Sequence, residues 1–184
     1  MKKIALLAAA LLIVLGACGQ QKKQEKQKMK KLVAYFSATG TTEAIAKKLA
    51  EVTGADLYQI KPEVPYTAAD LDWHDRQSRS TLEMRDKNSR PAFVKDLEKP
   101  EQYGTVYLGF PIWWYTAPTI INTFLETYDF SGKTVILFAT SGSSSLDNAN
   151  ALFRQNYPDI KWIDGKTLNG ASKEDIAEWV KSLK

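Results

Sequence analysis

From residue 32 onward the apolar positions change period in a regular alternation. Leu32-Val-Ala-Tyr-Phe36 is a short run rich in β-branched and aromatic residues, and predicts a strand. Ile45, Leu49 and Val52 then recur at helical spacing with Lys47, Lys48 and Glu51 between them, predicting an amphipathic helix from about Glu43. Asp56 to Ile60 reads as a second strand, stopped by the two prolines of Lys61-Pro-Glu-Val-Pro65. Thr105 to Gly109 is the third. Ile120, Ile121, Phe124, Leu125 and Tyr128 form one helical face, in a helix starting near Ala117-Pro118, where proline suits a first turn. Thr134 to Ala139 is almost unbroken apolar sequence, as expected of a strand covered on both sides. Leu146, Ala149, Leu152 and Phe153 mark a fourth helix, and Lys161 to Leu168 a fifth strand. Ser172, with Asp175 three residues later, reads as a capping box for a last helix whose stripe is Ile176, Trp179, Val180 and Leu183. Tyr66 to Tyr103 breaks the pattern, and reads as a loop, a helix around Ser80 to Lys87, and another loop.

Strand and helix thus alternate five times without a repeat or a long hairpin signal. That order implies an α/β fold with a doubly wound parallel sheet. Ligands of such sheets collect beyond the carboxyl ends of the strands. Three unusual loops fall there: Ser37 to Thr42 after the first strand, Phe110 to Tyr115 after the third, and Thr140 to Ser144 after the fourth. They should converge on one site.

The first loop, Ser37-Ala-Thr-Gly-Thr-Thr42, leads straight into a helix. A helix N-terminus presents unpaired N–H groups and the positive end of the helix dipole, so it attracts a phosphate without a lysine. Ser37, Thr39, Thr41 and Thr42 add hydroxyl donors, and Gly40 lets the backbone bend close to a ligand. The loop holds no basic residue and lacks the Gly-x-x-x-x-Gly-Lys-Ser/Thr of triphosphate sites and the Gly-x-Gly-x-x-Gly of dinucleotide folds. A single phosphomonoester fits it better. The alternative is a capping loop with no ligand, since serine and threonine are ordinary caps.

The other two loops would have to hold an aromatic ring system. Trp113, Trp114 and Tyr115 can offset-stack on a planar ring, and Pro111 and Ile112 precede them; the alternative is that these aromatics plug the sheet edge. Ser141, Gly142 and Ser143 are small enough for their backbone N–H groups to approach carbonyls at the ring edge, or they form a capping turn.

The front of the chain is different. Met1-Lys-Lys3, a continuous apolar run from Ile4 to Leu15, and then Leu15-Gly-Ala-Cys18 read as a secretory signal over 1–17, too short to span a membrane comfortably. Cys18 is the only cysteine in the 184 residues, which excludes an internal disulfide and a cysteine-based metal cluster. Residues 18–31 are Gln- and Lys-rich and read as a disordered tether of at most about 45 Å, ahead of a domain spanning 32–184. Charge divides at the same place. The whole chain carries a formal +4, yet Leu32 to Lys184 holds 17 Lys+Arg against 20 Asp+Glu, a net of −3. The domain therefore has no basic excess for nucleic acid, and the tether lysines suit anionic lipid headgroups.

The Ser37 to Thr42 turn resembles the phosphate loop of the flavodoxins, and Leu15-Gly-Ala-Cys18 resembles the bacterial lipobox, whose cysteine takes a diacylglycerol thioether. Gly109-Phe-Pro-Ile-Trp-Trp114, Ala117-Pro118 and Thr123-Phe-Leu-Glu126 are similar to a branch of flavodoxin-like proteins common in bacteria. The resemblance covers Leu32 to the C-terminus. It implies a flavodoxin-like three-layer doubly wound sandwich with a five-stranded parallel sheet in the order 2-1-3-4-5. It also implies flavin mononucleotide (FMN) as cofactor and electron transfer as activity. Ser37, Ala38, Thr39, Gly40, Thr41 and Thr42 would hold the phosphate, with Pro111 to Tyr115 and Ser141 to Ser143 flanking the ring, and no side chain need be catalytic. With Cys18 as anchor, the implied location is the outer side of the cytoplasmic membrane. The implied partner is a redox protein or a small electron acceptor such as a quinone. Flavodoxins commonly carry a glycine in the loop after strand three, and Phe110 to Tyr115 has none; two-electron chemistry with a nicotinamide or a quinone is thus the alternative within that reading. A non-redox lipoprotein that binds a phosphorylated ligand is the alternative outside it. His74, the only histidine, reads as an exposed loop residue, and Arg76, Arg79, Arg85 and Arg90 as a solvated polar face rather than a substrate clamp.

Overall fold

The computed structural model describes residues 29–183. The signal segment, Cys18 and most of the tether lie outside the described residues. Strand β1 (Lys30–Tyr35) sits inside the sheet and alternates between two cores. Leu32 and Ala34, followed by Phe36, face one apolar cluster, whereas Val33 and Tyr35 face another. Both faces are covered, which is why the run is apolar without a polar alternate. Lys30 and Lys31, read as the end of the tether, belong to the strand: its exposed first residues pair with β3, and Lys30 also reaches the Asp56 carboxylate at 3.2 Å.

The sheet has five parallel strands in the order β2-β1-β3-β4-β5, with β2 at Asp56–Gln59, β3 at Tyr103–Pro111, β4 at Thr134–Thr140 and β5 at Lys161–Thr167. Helices α1 (Thr41–Thr53) and α5 (Lys173–Ser182) supply Ile45, Leu49, Ile176 and Trp179 to one core. Helices α3 (Ile120–Thr127) and α4 (Asp147–Asn156) supply Ile121, Phe124, Ala149 and Phe153 to the other. This is the three-layer doubly wound architecture expected from the alternation, with the expected strand order. The capping box at Ser172 and Asp175 is present in full.

Several boundaries differ from the sequence expectation. Strand β3 begins at Tyr103 and runs on through Phe110 and Pro111, because Gly109 to Pro111 remain paired with Phe138 to Thr140. Helix α1 starts two residues early, at Thr41. Helix α3 starts late, at Ile120, since Pro118 and Thr119 form a tight turn whose carbonyls accept the N–H groups of Ile121 and Asn122. Strand β5 is bulged against β4, and Gly165 sits in that bulge. A Cβ there would lie 1.7 Å from the Leu137 carbonyl oxygen, so only glycine lets the two backbones meet.

The irregular stretch between β2 and β3 is closed at its base. Pro62 and Phe93 form an antiparallel bridge, and the fully buried Phe93 ring fixes it in the core. Inside that clasp is helix α2 (Arg79–Arg85), whose N-cap Ser78 accepts from the Thr81 N–H.

Candidate functional site

The parallel sheet brings the loops after β1, β3 and β4 to one edge. The first loop is built around Gly40, the N-cap of α1, at φ 87°. That left-handed conformation is unstrained only for glycine. It leaves α1 with no side-chain cap, so the first N–H groups of the helix have no partner within the fold. Ser37 Oγ accepts the Gly40 N–H at 3.1 Å, which curls the turn, and the exposed hydroxyls of Thr39 and Thr41 stand 3.4 Å apart. The loop therefore gathers unpaired N–H groups and hydroxyls around a positive helix end.

Thr42 has a different use. It is buried, and its hydroxyl meets that of Thr140 at 2.8 Å. Its side chain ties the first loop to the end of β4, so its hydroxyl is not free for a ligand. Tyr35, which leads into the loop, is pushed up to about 12 by burial and by the nearby Glu43 carboxylate, so it stays a neutral phenol.

Beside the loop lies a cavity of about 470 Å³. Ala38 and Thr39 from the first loop and all of Pro111 to Tyr115 line it. The three aromatics are not equivalent. Trp113 is half-buried and held edge-on by Phe36 at 5.6 Å and Tyr66 at 5.5 Å between ring centroids. Tyr66 is fixed in turn: its hydroxyl donates to Glu83, and the Arg79 guanidinium lies 4.0 Å above its ring while donating to the same carboxylate at 2.7 Å. Burial, then the Glu83 contact, raise the Tyr66 phenol above its ordinary value, so it remains a donor. Trp113 is thus a positioned wall, whereas Trp114 (41% exposed) and Tyr115 (70% exposed) are free to meet a ligand.

Trp114 and Tyr115 form the two central residues of a tight turn. Trp113 and Thr116 exchange both backbone hydrogen bonds at 2.9 Å, and the residues between them have φ of 43° and 64°. Two positive φ values make a type I′ turn, which ordinarily selects asparagine and glycine. The loop lacks a glycine yet adopts a glycine-type backbone. Asn148 from α4 braces it by donating to the Tyr115 carbonyl at 3.1 Å.

Ser141, Gly142 and Ser143 lie at the same sheet edge but do not line this cavity. The Ser141 N–H, read as a donor to a ring edge, is already given to Asn169 Oδ1 at 2.9 Å, and Asn169 returns a bond to the Ser141 carbonyl at 2.6 Å. Ser141 Oγ also accepts the Ser144 N–H. Of the three, Gly142 and Ser143 are exposed.

The sequence reading missed three cavity residues: Leu71, Trp73 and Ser80. All lie in the irregular stretch, where no periodicity marks a wall. Trp73 is 68% exposed and its ring lies against that of His74, which is exposed as expected. Ser80 is 2% exposed and its hydroxyl has no hydrogen-bond partner. Three of the four arginines in this stretch are spent within the fold, Arg79 on Glu83 and the Val64 carbonyl, Arg85 on the Arg76 carbonyl, and Arg90 on both Glu126 oxygens, while Arg76 is exposed. They form no clamp. No group of acidic, histidine or cysteine side chains among the described residues could hold a metal ion.

The family model for flavodoxin matches residues 30–183. A solved structure from Bacteroides uniformis, assigned as a flavoprotein, is 57% identical, with a TM-score of 0.82 over 84% of this chain and 99% of its own. A second from Bacteroides eggerthii, also assigned as a flavoprotein, is 48% identical, with a TM-score of 0.81 over 84% of this chain and 98% of its own. A flavoprotein from Lactobacillus acidophilus, solved in complex with FMN, shares the fold at 20% identity, with a TM-score of 0.62 over 83% of this chain and 99% of its own. No curated protein matches the chain.

Proposed function

The chain belongs to the flavodoxin family, and from that premise we propose that it binds FMN and transfers electrons while anchored outside the cytoplasmic membrane. One observation carries the cofactor reading. Helix α1 begins at a left-handed glycine, Gly40, with no side-chain cap, ringed by the hydroxyls of Ser37, Thr39 and Thr41. A doubly charged phosphate satisfies those unpaired donors without a lysine.

The residues present fit the rest of the cofactor. A cavity of about 470 Å³ begins at Ala38 and Thr39, next to that anion site, and is walled by Trp113 with Trp114 and Tyr115 exposed. When bound, FMN supplies one- or two-electron redox chemistry, which the side chains do not have. The chain's own part is to hold the phosphate at α1, to stack aromatic faces against the ring and exclude water, and to keep the neighbouring Tyr35 and Tyr66 neutral. Ser80 offers the one unpaired buried hydroxyl in the cavity wall.

Location rests on the sequence: Lys2-Lys3, the apolar run and Leu15-Gly-Ala-Cys18 support lipidation of Cys18 after signal cleavage. Because β1 starts at the opposite end of the sheet from the site, a tether entering at Lys30 presents the cavity away from its attachment point. Exposed Trp73, Trp114 and Tyr115 then give an acceptor, a redox protein or a quinone, a short path to the ring.

Titration of the flavin-free chain with FMN and with riboflavin, followed by flavin fluorescence, tests the cofactor reading. Tight binding of FMN and weak binding of riboflavin support it; equal binding, or none, overturns it. For the anchor, Cys18→Ala should move the chain from the membrane fraction to the soluble one, and an unchanged distribution would refute lipidation.

A further inference from the structure

The cavity beside the anion site draws its walls from two separate stretches of chain. Pro111 to Tyr115 belong to the loop after β3, which flanks the proposed flavin ring. Leu71 and Trp73 come from the irregular stretch between β2 and β3, and the flavin reading gives them no part in holding the cofactor.

Trp73 is the unusual member of the wall. It is 68% exposed, and the His74 ring, 3.5 Å away between centroids and tilted by 34°, lies across one of its faces. A large indole left in water gains when its open face is covered, so such a side chain in a cavity wall marks a binding surface. Its position is fixed by its neighbours. The Asp72 carboxylate accepts the His74 N–H at 3.0 Å and the Asp72 carbonyl accepts the Asp75 N–H at 3.1 Å, which holds Trp73 in a turn. The same stretch is tied to the other wall through Tyr66, whose ring packs edge-on against Trp113 while its hydroxyl donates to Glu83 of α2.

Charge narrows the choice of occupant. None of the residues lining the cavity is charged. Beside Leu71 and Trp73 the chain places Asp70, Asp72 and Asp75, against which only the exposed Arg76 stands in the same run of seven residues. That balance disfavours an anion such as a nicotinamide dinucleotide, whose pyrophosphate needs cations or a helix N-terminus, and the α1 N-terminus is already given to the flavin phosphate. Aromatic faces in an uncharged cavity select a planar, uncharged molecule. We propose that the electron acceptor is an uncharged quinone, bound in this cavity against the open face of Trp73 with Leu71 beside it. Its reduction to the hydroquinone consumes two electrons and two protons, the number that a fully reduced flavin gives up on returning to its oxidised form. The inference rests on the FMN reading and narrows it.

The test is equilibrium dialysis of the full chain, loaded with oxidised FMN and without a reductant, so that binding is read apart from turnover. The probes are tetramethyl-1,4-benzoquinone, which is uncharged, and chloranilate, a planar benzoquinone dianion. The first should bind saturably and the second at least about tenfold more weakly. Trp73→Ala, at an exposed position, should weaken binding of the tetramethyl quinone by about threefold to tenfold, Trp73→Phe should restore most of it, and the FMN Kd should stay within about twofold of wild type in both. Failure of the wild-type chain to bind FMN would overturn the cofactor reading and this inference with it. With FMN bound, no saturable binding of the uncharged quinone, equal binding of chloranilate, or wild-type affinity in Trp73→Ala would overturn this inference alone. A large rise in the FMN Kd of Trp73→Ala would also overturn it, because Trp73 would then be a wall for the cofactor itself.

Discussion

Tyr115→Gly should stabilise the ligand-free protein and weaken its hold on FMN, two effects of opposite sign from one substitution. Tyr115 sits at φ 64° in the second central position of the Trp113 to Thr116 turn. A left-handed conformation costs an L-residue about 1–2 kcal/mol, and glycine escapes that cost. Glycine also gives the unfolded chain more freedom, which takes back about 0.4–1 kcal/mol. Little packing is lost, since the Tyr115 side chain is largely exposed, and the bond from Asn148 goes to its backbone carbonyl and survives. The net is a gain of about 0.5–1 kcal/mol, or about 1–4 °C in Tm for a domain of this size. With FMN bound the balance reverses, because an aromatic contact worth about 0.5–1.5 kcal/mol disappears, so the Kd rises about twofold to tenfold. Urea denaturation of the ligand-free chain and a fluorescence titration measure the two halves. Loss of stability in the ligand-free variant would show that the turn is not strained as described, and an unchanged Kd would remove Tyr115 from the cofactor site.

Gly165→Ala should be among the most damaging single substitutions in the sheet, costing several kcal/mol (about 3 or more), because its Cβ would overlap the Leu137 carbonyl; failure to express in soluble form, or a large loss in urea midpoint, is the expected result. Thr42→Val leaves the Thr140 hydroxyl buried and unpaired, so it should cost about 1–3 kcal/mol, while adding Thr140→Val to it should cost less than the two single changes summed. Arg90 donates to both oxygens of Glu126 and holds its carboxyl below the ordinary carboxylate range, so the pair stabilises the fold above that range and the contribution is lost as pH falls through the lowered pKa. Arg90→Gln should therefore cost less than about 1 kcal/mol near neutral pH, and the difference from wild type should vanish in acid; a difference that grows on acidification would contradict the assignment.

The alternation of apolar runs and helical stripes was enough to read the layers and the sheet, because the three central strands are buried on both faces and the four helices that cover the sheet each carry an apolar stripe. The turn proposed to hold a phosphate could be picked out for a local reason: Gly40 and its hydroxyl neighbours lie within six consecutive residues. What escaped was long-range or conformational. The clamp of Asn169 on Ser141 joins positions 28 apart, and nothing near either residue announces it. Thr42 reads as one more ligand hydroxyl until Thr140 is placed beside it. The turn at Trp114 and Tyr115 carries no glycine or asparagine signal, and its left-handed backbone is imposed by the Trp113 and Thr116 pairing and by Asn148. Trp73 and Ser80 come from a stretch without periodicity, closed by a single bridge at Pro62 and Phe93, so no pattern could place them in the cavity wall.

The claim at the centre of this account is that the unpaired end of α1 holds a phosphate as a dianion. The most direct measurement is the ³¹P NMR shift of FMN bound to the chain as pH is varied. A free phosphate monoester titrates with a second pKa of about 6. Held by the donors at Thr39, Thr41 and Thr42, in the turn that Gly40 shapes, the bound phosphate should keep one shift through that range, and Gly40→Ala should restore a titration or abolish binding. A bound resonance that follows the free one through the titration would mean that the phosphate lies in solvent, and the loop would have to be reassigned to capping the helix alone.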